Sequence, residues 1–202
     1  MKAKIKLVVI ILIIVIASGL YSVVDKTGEI YNRKYDNNEY VPLELNVGEE
    51  ISQIFVCDKE SLDGFAIKLT EKSGVEGSEL GLSYELWESE QAKCVLQGSQ
   101  DISEVKSGKF FEINFDKLGN CKGKTYIFKL TVNGKNEQDG IVVYYAPEIE
   151  KETELKYDTK NVDGTLVLRT ITHGFDVETF VVTICFLAYI VFFMKWLYKL
   201  FS

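Results

Sequence analysis

The acidic residues are confined to the middle of the chain, and this constrains the fold more than any other feature. All 30 Asp and Glu of the 202 residues lie between Asp25 and Glu178, and both ends are nearly pure hydrocarbon. Residues 7–24 read LVVIILIIVIASGLYSVV, 18 positions without a charge, after a lysine-bearing start at 1–6. Residues 180–194 read FVVTICFLAYIVFFM, and apolar character resumes at Trp196, Leu197 and Tyr198. A hydrocarbon core of ~30 Å needs ~20 apolar residues as helix. The second stretch has no polar face, unlike a helix at the edge of a soluble core. The expectation is a transmembrane helix over 179–198, with Lys195 and Lys199 snorkelling and Trp196 and Tyr198 at the interface. The first stretch is expected to be an uncleaved signal anchor over 7–24. The rival is a cleaved signal peptide with Ala17, Ser18 and Gly19 near the cut.

Three lysines precede the first stretch and two follow Met194, with no acid at either end. The positive-inside rule then places the tails 1–6 and 199–202 in the cytoplasm and the segment between them outside it. That segment holds 18 basic and 30 acidic residues, a net −12 within the chain's −7. So acidic a surface is a poor partner for nucleic acid, whose phosphates call for Lys and Arg.

Residues 25–39 are polar and read as a stalk. From 40 to 173 the pattern has period two. Phe65, Ile67 and Leu69 alternate with Ala66, Lys68 and Thr70; Leu82, Tyr84 and Leu86 alternate with Ser83, Glu85 and Trp87. The same alternation runs through Phe111, Ile113 and Phe115, and through Tyr126, Phe128 and Leu130. Such alternation marks strands with one face on a core and one in water. Further strands are expected at 41–47, 51–57, 94–96 and 141–145, and a loop or short helix at 148–160. Turn signals stand at Asp63-Gly64, Ser73-Gly74, Ser107-Gly108, Gly119-Asn120, Asn133-Gly134 and Asp163-Gly164. The predicted fold is all-β, an antiparallel β-sandwich or jelly roll of about eight strands flanked by N- and C-terminal transmembrane helices.

Little in the sequence carries catalytic chemistry. His173 is the one histidine, and no nucleophile elbow, phosphate loop or H-E-x-x-H occurs. Without a C-x-x-C spacing a zinc site has no basis. Asn161-Val162-Asp163-Gly164 has part of a calcium loop and is expected to be a hairpin turn. No cofactor is expected; a structural Ca²⁺ is compatible with a jelly roll. Cys57 continues an inward face and reads as a small buried hydrophobe, and Cys94 and Cys121 are the candidate disulfide. Trp87 falls by alternation on the polar side with Ser83 and Glu85. These three residues are the candidate ligand contacts, because an exposed indole stacks on a sugar ring or seats a partner side chain. The alternative is that Trp87 packs under the loop 88–93. Thr179, Thr183, Cys185 and Ala188 form a smaller face on the second helix, suited to close helix packing.

Several segments share an order. A Q-x-F strand at Gln53-Ile54-Phe55 precedes Leu62-Asp63-Gly64-Phe65-Ala66-Ile67 and a strand ending at Trp87. A phenylalanine-rich strand at 110–115 then leads to Lys122-Gly123-Lys124-Thr125-Tyr126. In this order the chain resembles extracytoplasmic jelly-roll, carbohydrate-binding-like modules of bacterial cell-envelope polysaccharide proteins, including membrane glycosyltransferases and their small accessory proteins. The resemblance implies a non-enzymatic accessory module of the cell membrane, partnered by a glycosyltransferase or a cell-surface glycan. A protein–protein adaptor and a glycan-acting enzyme are the alternatives. The p24 cargo receptors also join a sandwich to a C-terminal span, but they place a coiled coil before it, and 148–178 has no sustained heptads.

Overall fold

The computed structural model describes residues 2–72, 80–102 and 109–201. Ser73-Gly74 and Ser107-Gly108 lie outside the described residues. The chain divides into two compact units, Thr27–Thr172 and a helical unit made of Met1–Lys26 with His173–Ser202.

Period-two sequence becomes strands, as alternation requires, and there are more of them than the expected eight: thirteen among the described residues. Seven form one antiparallel sheet. Strand β4 (Ser61–Glu71) is its spine, pairing with β7 (Phe110–Gly119) and β13 (Leu168–Phe175) along its first part and with β9 (Gly140–Ala146) along its last. β1 (Val23–Glu29) extends the sheet beyond β13, while β2 (Val41–Asn46) and β12 (Thr165–Leu166) pair with β9. The other sheet has the order β11 (Lys160–Val162), β10 (Glu154–Tyr157), β3 (Glu50–Val56), β8 (Thr125–Asn133), β5 (Gly81–Glu88) and β6 (Lys93–Asp101).

The apolar faces of the two sheets meet in one core. Phe65 of β4 stands 4.7 Å from Phe128 of β8 and 6.0 Å from Phe55 of β3, ring centroid to ring centroid. All three are buried, with Leu82 and Leu86 beside them. Aromatic pairs at such distances add to the burial of their area. The expected inner faces are therefore inside.

Four expectations change. The stretch 25–39 is not a free stalk: it carries β1 up to Glu29, and Tyr31 is buried against Ala146 and Val167. Its composition is polar because β1 is an edge strand, where one face stays in water. Residues 148–160 hold the strand β10 rather than a loop or helix, since Glu154–Tyr157 pairs with β3. Asp63-Gly64 is no turn but lies inside β4, at an irregularity opposite β7; a Cβ on Gly64 would stand 2.8 Å from the Ile113 carbonyl oxygen. Asn161–Gly164 joins β11 to β12, strands of different sheets, so it is a crossing and not a hairpin. There a Cβ on Gly164 would stand 2.4 Å from Cδ2 of Tyr145.

In the helical unit, α1 (Lys2–Tyr21) and α2 (Val177–Phe201) pack together. α2 starts on Asp176, whose carboxylate accepts the Thr179 backbone N–H at 3.1 Å as an N-cap and pairs with Lys26 at 2.5 Å. Among the described residues one helix, α2, is long and apolar enough to cross a membrane, and none of its residues is buried. The expected first span over 7–24 is shorter than predicted. The helix stops at Tyr21, Ser22 folds back onto the Ser18 carbonyl, and the β-branched Val23 and Val24 enter β1. Among the described residues the apolar part of α1 is Val8–Tyr21. On α2, Thr179, Thr183 and Ala188 lie on a half-buried stripe with Ile184, Leu187 and Val191. Cys185 is off that stripe and exposed, so it leaves the small-residue face.

Candidate functional site

The site lies on the outward face of the six-stranded sheet. β5 alternates strictly: Leu82, Tyr84 and Leu86 turn into the core, and Ser83, Glu85 and Trp87 are left partly exposed on the other side. All three candidate contacts therefore share one face of one strand. Neighbouring strands complete it in register. Trp87 is opposite Ile127 of β8 and Cys94 of β6, Glu85 is opposite Lys129 and Gln97, and Ser83 is opposite Thr131 and Ser99.

The indole is oriented from within the strand. Trp87 Nε1 donates to Glu85 Oε2 at 2.6 Å, a short bond to a carboxylate two residues back. Ser89 and Ala92 of the turn after β5 join Trp87, Ile127 and Lys129 around a shallow depression of about 230 Å³. The turn is held from below. Glu88 is buried, pairs with Lys124 at 3.1 Å, and accepts from Gln91 at 3.3 Å. Packing against the 88–93 turn and exposure to solvent are thus both true of Trp87. On the other side of Glu85, a groove of about 360 Å³ is walled by Ser83, Gln97 and Ser99, with Gly98 at its floor. Asn133 Nδ2 donates to Ser83 Oγ at 2.5 Å, and Lys129 Nζ is 3.1 Å from Glu50. The face is an apolar platform continuous with a strip of hydroxyls and amides.

Cys94 and Cys121 are free thiols in this structure, as are Cys57 and Cys185. Cys94 is half-buried on edge strand β6, its thiol on the Leu96 carbonyl at 3.3 Å, whereas Cys121 is buried with its thiol on the Leu118 carbonyl at 3.2 Å. His173 contacts Asp25, an exposed pair, and no group of three or more metal-ligating side chains occurs among the described residues.

A second polar cluster was not foreseen. On the outer face of the seven-stranded sheet, Arg169 lies 3.9 Å over Phe110, donates to the Tyr31 hydroxyl at 3.0 and 3.2 Å, and pairs with Glu29 at 3.4 Å. Lys68 is buried, donates to Asn37 Oδ1 at 2.9 Å, and sits 5.1 Å over Tyr40. Burial lowers the Lys68 pKa, and the Arg169 charge adds to it. Burial also pushes Tyr40 up to about 12. These cations fasten the segment after β1 to the sheet. The one signal in the sequence was the run of tyrosines at 31, 35 and 40 in a supposed stalk.

No protein-family model matches the chain, and no curated protein matches it. Solved structures align with parts of it at low scores. The cysteine protease Cwp84, a surface layer associated protein of Clostridium difficile, aligns over 74% of this chain and 40% of its own length, with 11% identity and a TM-score of 0.48. A xylan-binding module, CBM15, aligns over 68% of this chain and 99% of its own, with 9% identity and a TM-score of 0.31. The Gap123 glycosylation-associated complex of Streptococcus agalactiae aligns over 67% and 46%, with 12% identity and a TM-score of 0.25. The chain spans well under half of the Cwp84 structures it matches. At such scores these likenesses carry no argument about fold or chemistry.

Proposed function

We propose that this chain is a membrane-anchored, non-enzymatic binding module that holds a glycan on the outward face of β5, β6 and β8. One observation carries the reading. The Trp87 indole is tied along its strand by Glu85 and lies beside a groove lined by Ser83, Gln97 and Ser99. A sugar has an apolar C–H face and a rim of hydroxyls, and an aromatic platform bordered by hydroxyls and amides complements both. An open groove suits a long chain of sugars better than a small molecule, which would need enclosure. The apolar, exposed α2 supplies the anchor, with α1 beside it as a second membrane-embedded helix and the β unit outside the cytoplasm. In that setting the module serves a cell-envelope glycan assembly system, its partner being a membrane glycosyltransferase or the surface glycan itself.

Binding of the full chain in detergent to an array of cell-envelope polysaccharides tests this. The expected result is retention of a polysaccharide by the wild type and a loss of ~10-fold or more in Trp87→Ala, since ~1.4 kcal/mol of lost stacking is a factor of ten. Equal retention by the two proteins, or none by either, contradicts the reading. A membrane glycosyltransferase captured equally by both proteins would favour the adaptor.

A further inference from the structure

Cys57 and Cys121 are buried, and nothing on the Trp87 face uses them. β3 ends at Val56, and the Cys57 N–H donates to the Lys124 carbonyl at 2.9 Å. The Gly123 N–H donates back to the Cys57 carbonyl at 2.8 Å. On the other segment, the Lys124 N–H donates to the Cys121 carbonyl at 3.1 Å, closing a turn with Gly123 at φ +77°. The Cys121 N–H then donates to the Glu60 carbonyl at 3.1 Å. The segments 57–60 and 121–124 are clasped along their length. Cys57 faces Lys124, and the turn brings Cys121 back beside it. Cys57 and Lys124 are the directly paired positions, which such pairing holds ~5.5 Å apart; Cys121 lies across the turn from Lys124, and a disulfide calls for its Cα within ~4.4–6.8 Å of that of Cys57. Both side chains are buried in the core cluster that holds Tyr126, as free thiols in this structure: Cys57 Sγ donates to the Lys59 carbonyl at 3.4 Å and Cys121 Sγ to the Leu118 carbonyl at 3.2 Å.

We propose that Cys57 and Cys121 form a disulfide that staples the end of β3 to the turn before β8. The reaction is thiol–disulfide exchange with a small-molecule or protein disulfide. One cysteine thiolate attacks a sulfur of that disulfide, forming a mixed disulfide and releasing a thiol. The other cysteine then displaces the second thiol. Two protein thiols are oxidised, one external disulfide is reduced to two thiols, and the two protein protons end on the thiols released. Burial pushes the Cys57 thiol up to about 11, which makes its thiolate scarce in the folded unit. The bond therefore belongs to folding, before the clasp closes over the sulfurs. Its loop spans the strands from β4 to β7, and closing a long loop constrains the unfolded chain most.

The test uses the full chain in detergent. The chain is equilibrated with oxidised glutathione under mild denaturant, returned to native conditions, blocked with N-ethylmaleimide and digested. The expected product is one peptide pair joined through Cys57 and Cys121, lighter by two hydrogens, with Cys94 and Cys185 alkylated. Reduction should lower the melting temperature of the β unit by roughly 10 °C. Cys94→Ser should keep the link, and Cys57→Ser and Cys121→Ser should each lose it. Four alkylated thiols, a link through Cys94, or a melting temperature indifferent to reduction overturns the proposal. Trp87→Ala should leave the link unchanged, so its failure and a failure of glycan binding are separable.

Discussion

At the residue scale, single atoms decide between tolerance and disruption. A Cβ on Gly140 would stand 2.4 Å from the Leu45 carbonyl oxygen, a backbone atom that cannot swing away. Gly140→Ala should therefore destabilise the β unit by about 2 kcal/mol in urea titration. Phe65 touches Phe55, Phe115 and Phe128, so Phe65→Ala removes the centre of the core. A loss of about 4 kcal/mol is expected by the same measurement. Tyr40 gives a pH signature. Burial raises its pKa from 10 to about 12, so the folded state holds the phenolic proton more tightly than the unfolded chain does. That contribution to stability is complete below pH 10 and disappears as pH rises through 12. Ultraviolet titration of the tyrosines should show Tyr40→Phe abolishing a late-ionising group. Tyr126 and Tyr157 are raised as well, chiefly by burial, and should ionise only as the fold opens.

At the element scale, the Arg169 cluster joins β13 to the segment that follows β1. Arg169→Ala removes the stack on Phe110 and the Tyr31 hydrogen bonds together and leaves Glu29 less well paired. A loss of about 2 kcal/mol is expected, with faster proteolysis after Lys34 than in the wild type. The uneven legibility of the sequence has the same origin. Strands such as β5 and β8 have one face in the core and one in water, so Leu82–Leu86 and Tyr126–Leu130 displayed their alternation openly. β4 is buried on both faces, and Lys68 looked like a water-facing residue because its cover, Asn37 and Tyr40, is thirty residues away in a polar segment. β1 and β10 are short or charged, and pairing rather than hydrophobicity defines them. The exposure of Trp87 followed from alternation alone. Its shared face with Glu85 followed too, but the tether between them and the groove beside it needed the folded sheet, with β6 in register, which no local pattern displays. The clasp between 57–60 and 121–124 was illegible for the same reason, because it is made of hydrogen bonds between distant loops.

At the scale of the whole molecule, the sequence average conceals two chemistries. A mean hydropathy of +0.02 combines an apolar pair of helices with a water-facing β unit of opposite character. The full chain should stay in the membrane pellet through alkaline carbonate extraction, and the β unit Thr27–Thr172 without α1 and α2 should leave it. The proposed function is placed on the β unit, and the chain's two tryptophans make it readable. In a Trp196→Phe chain, Trp87 is the only fluorophore of its type, and it sits at the centre of the proposed glycan platform. Its emission is measured in the full chain in detergent as cell-envelope polysaccharide is added. The account predicts a saturable shift of the Trp87 emission that disappears when Glu85→Ala unties the indole. An emission unchanged up to saturating polysaccharide would contradict it.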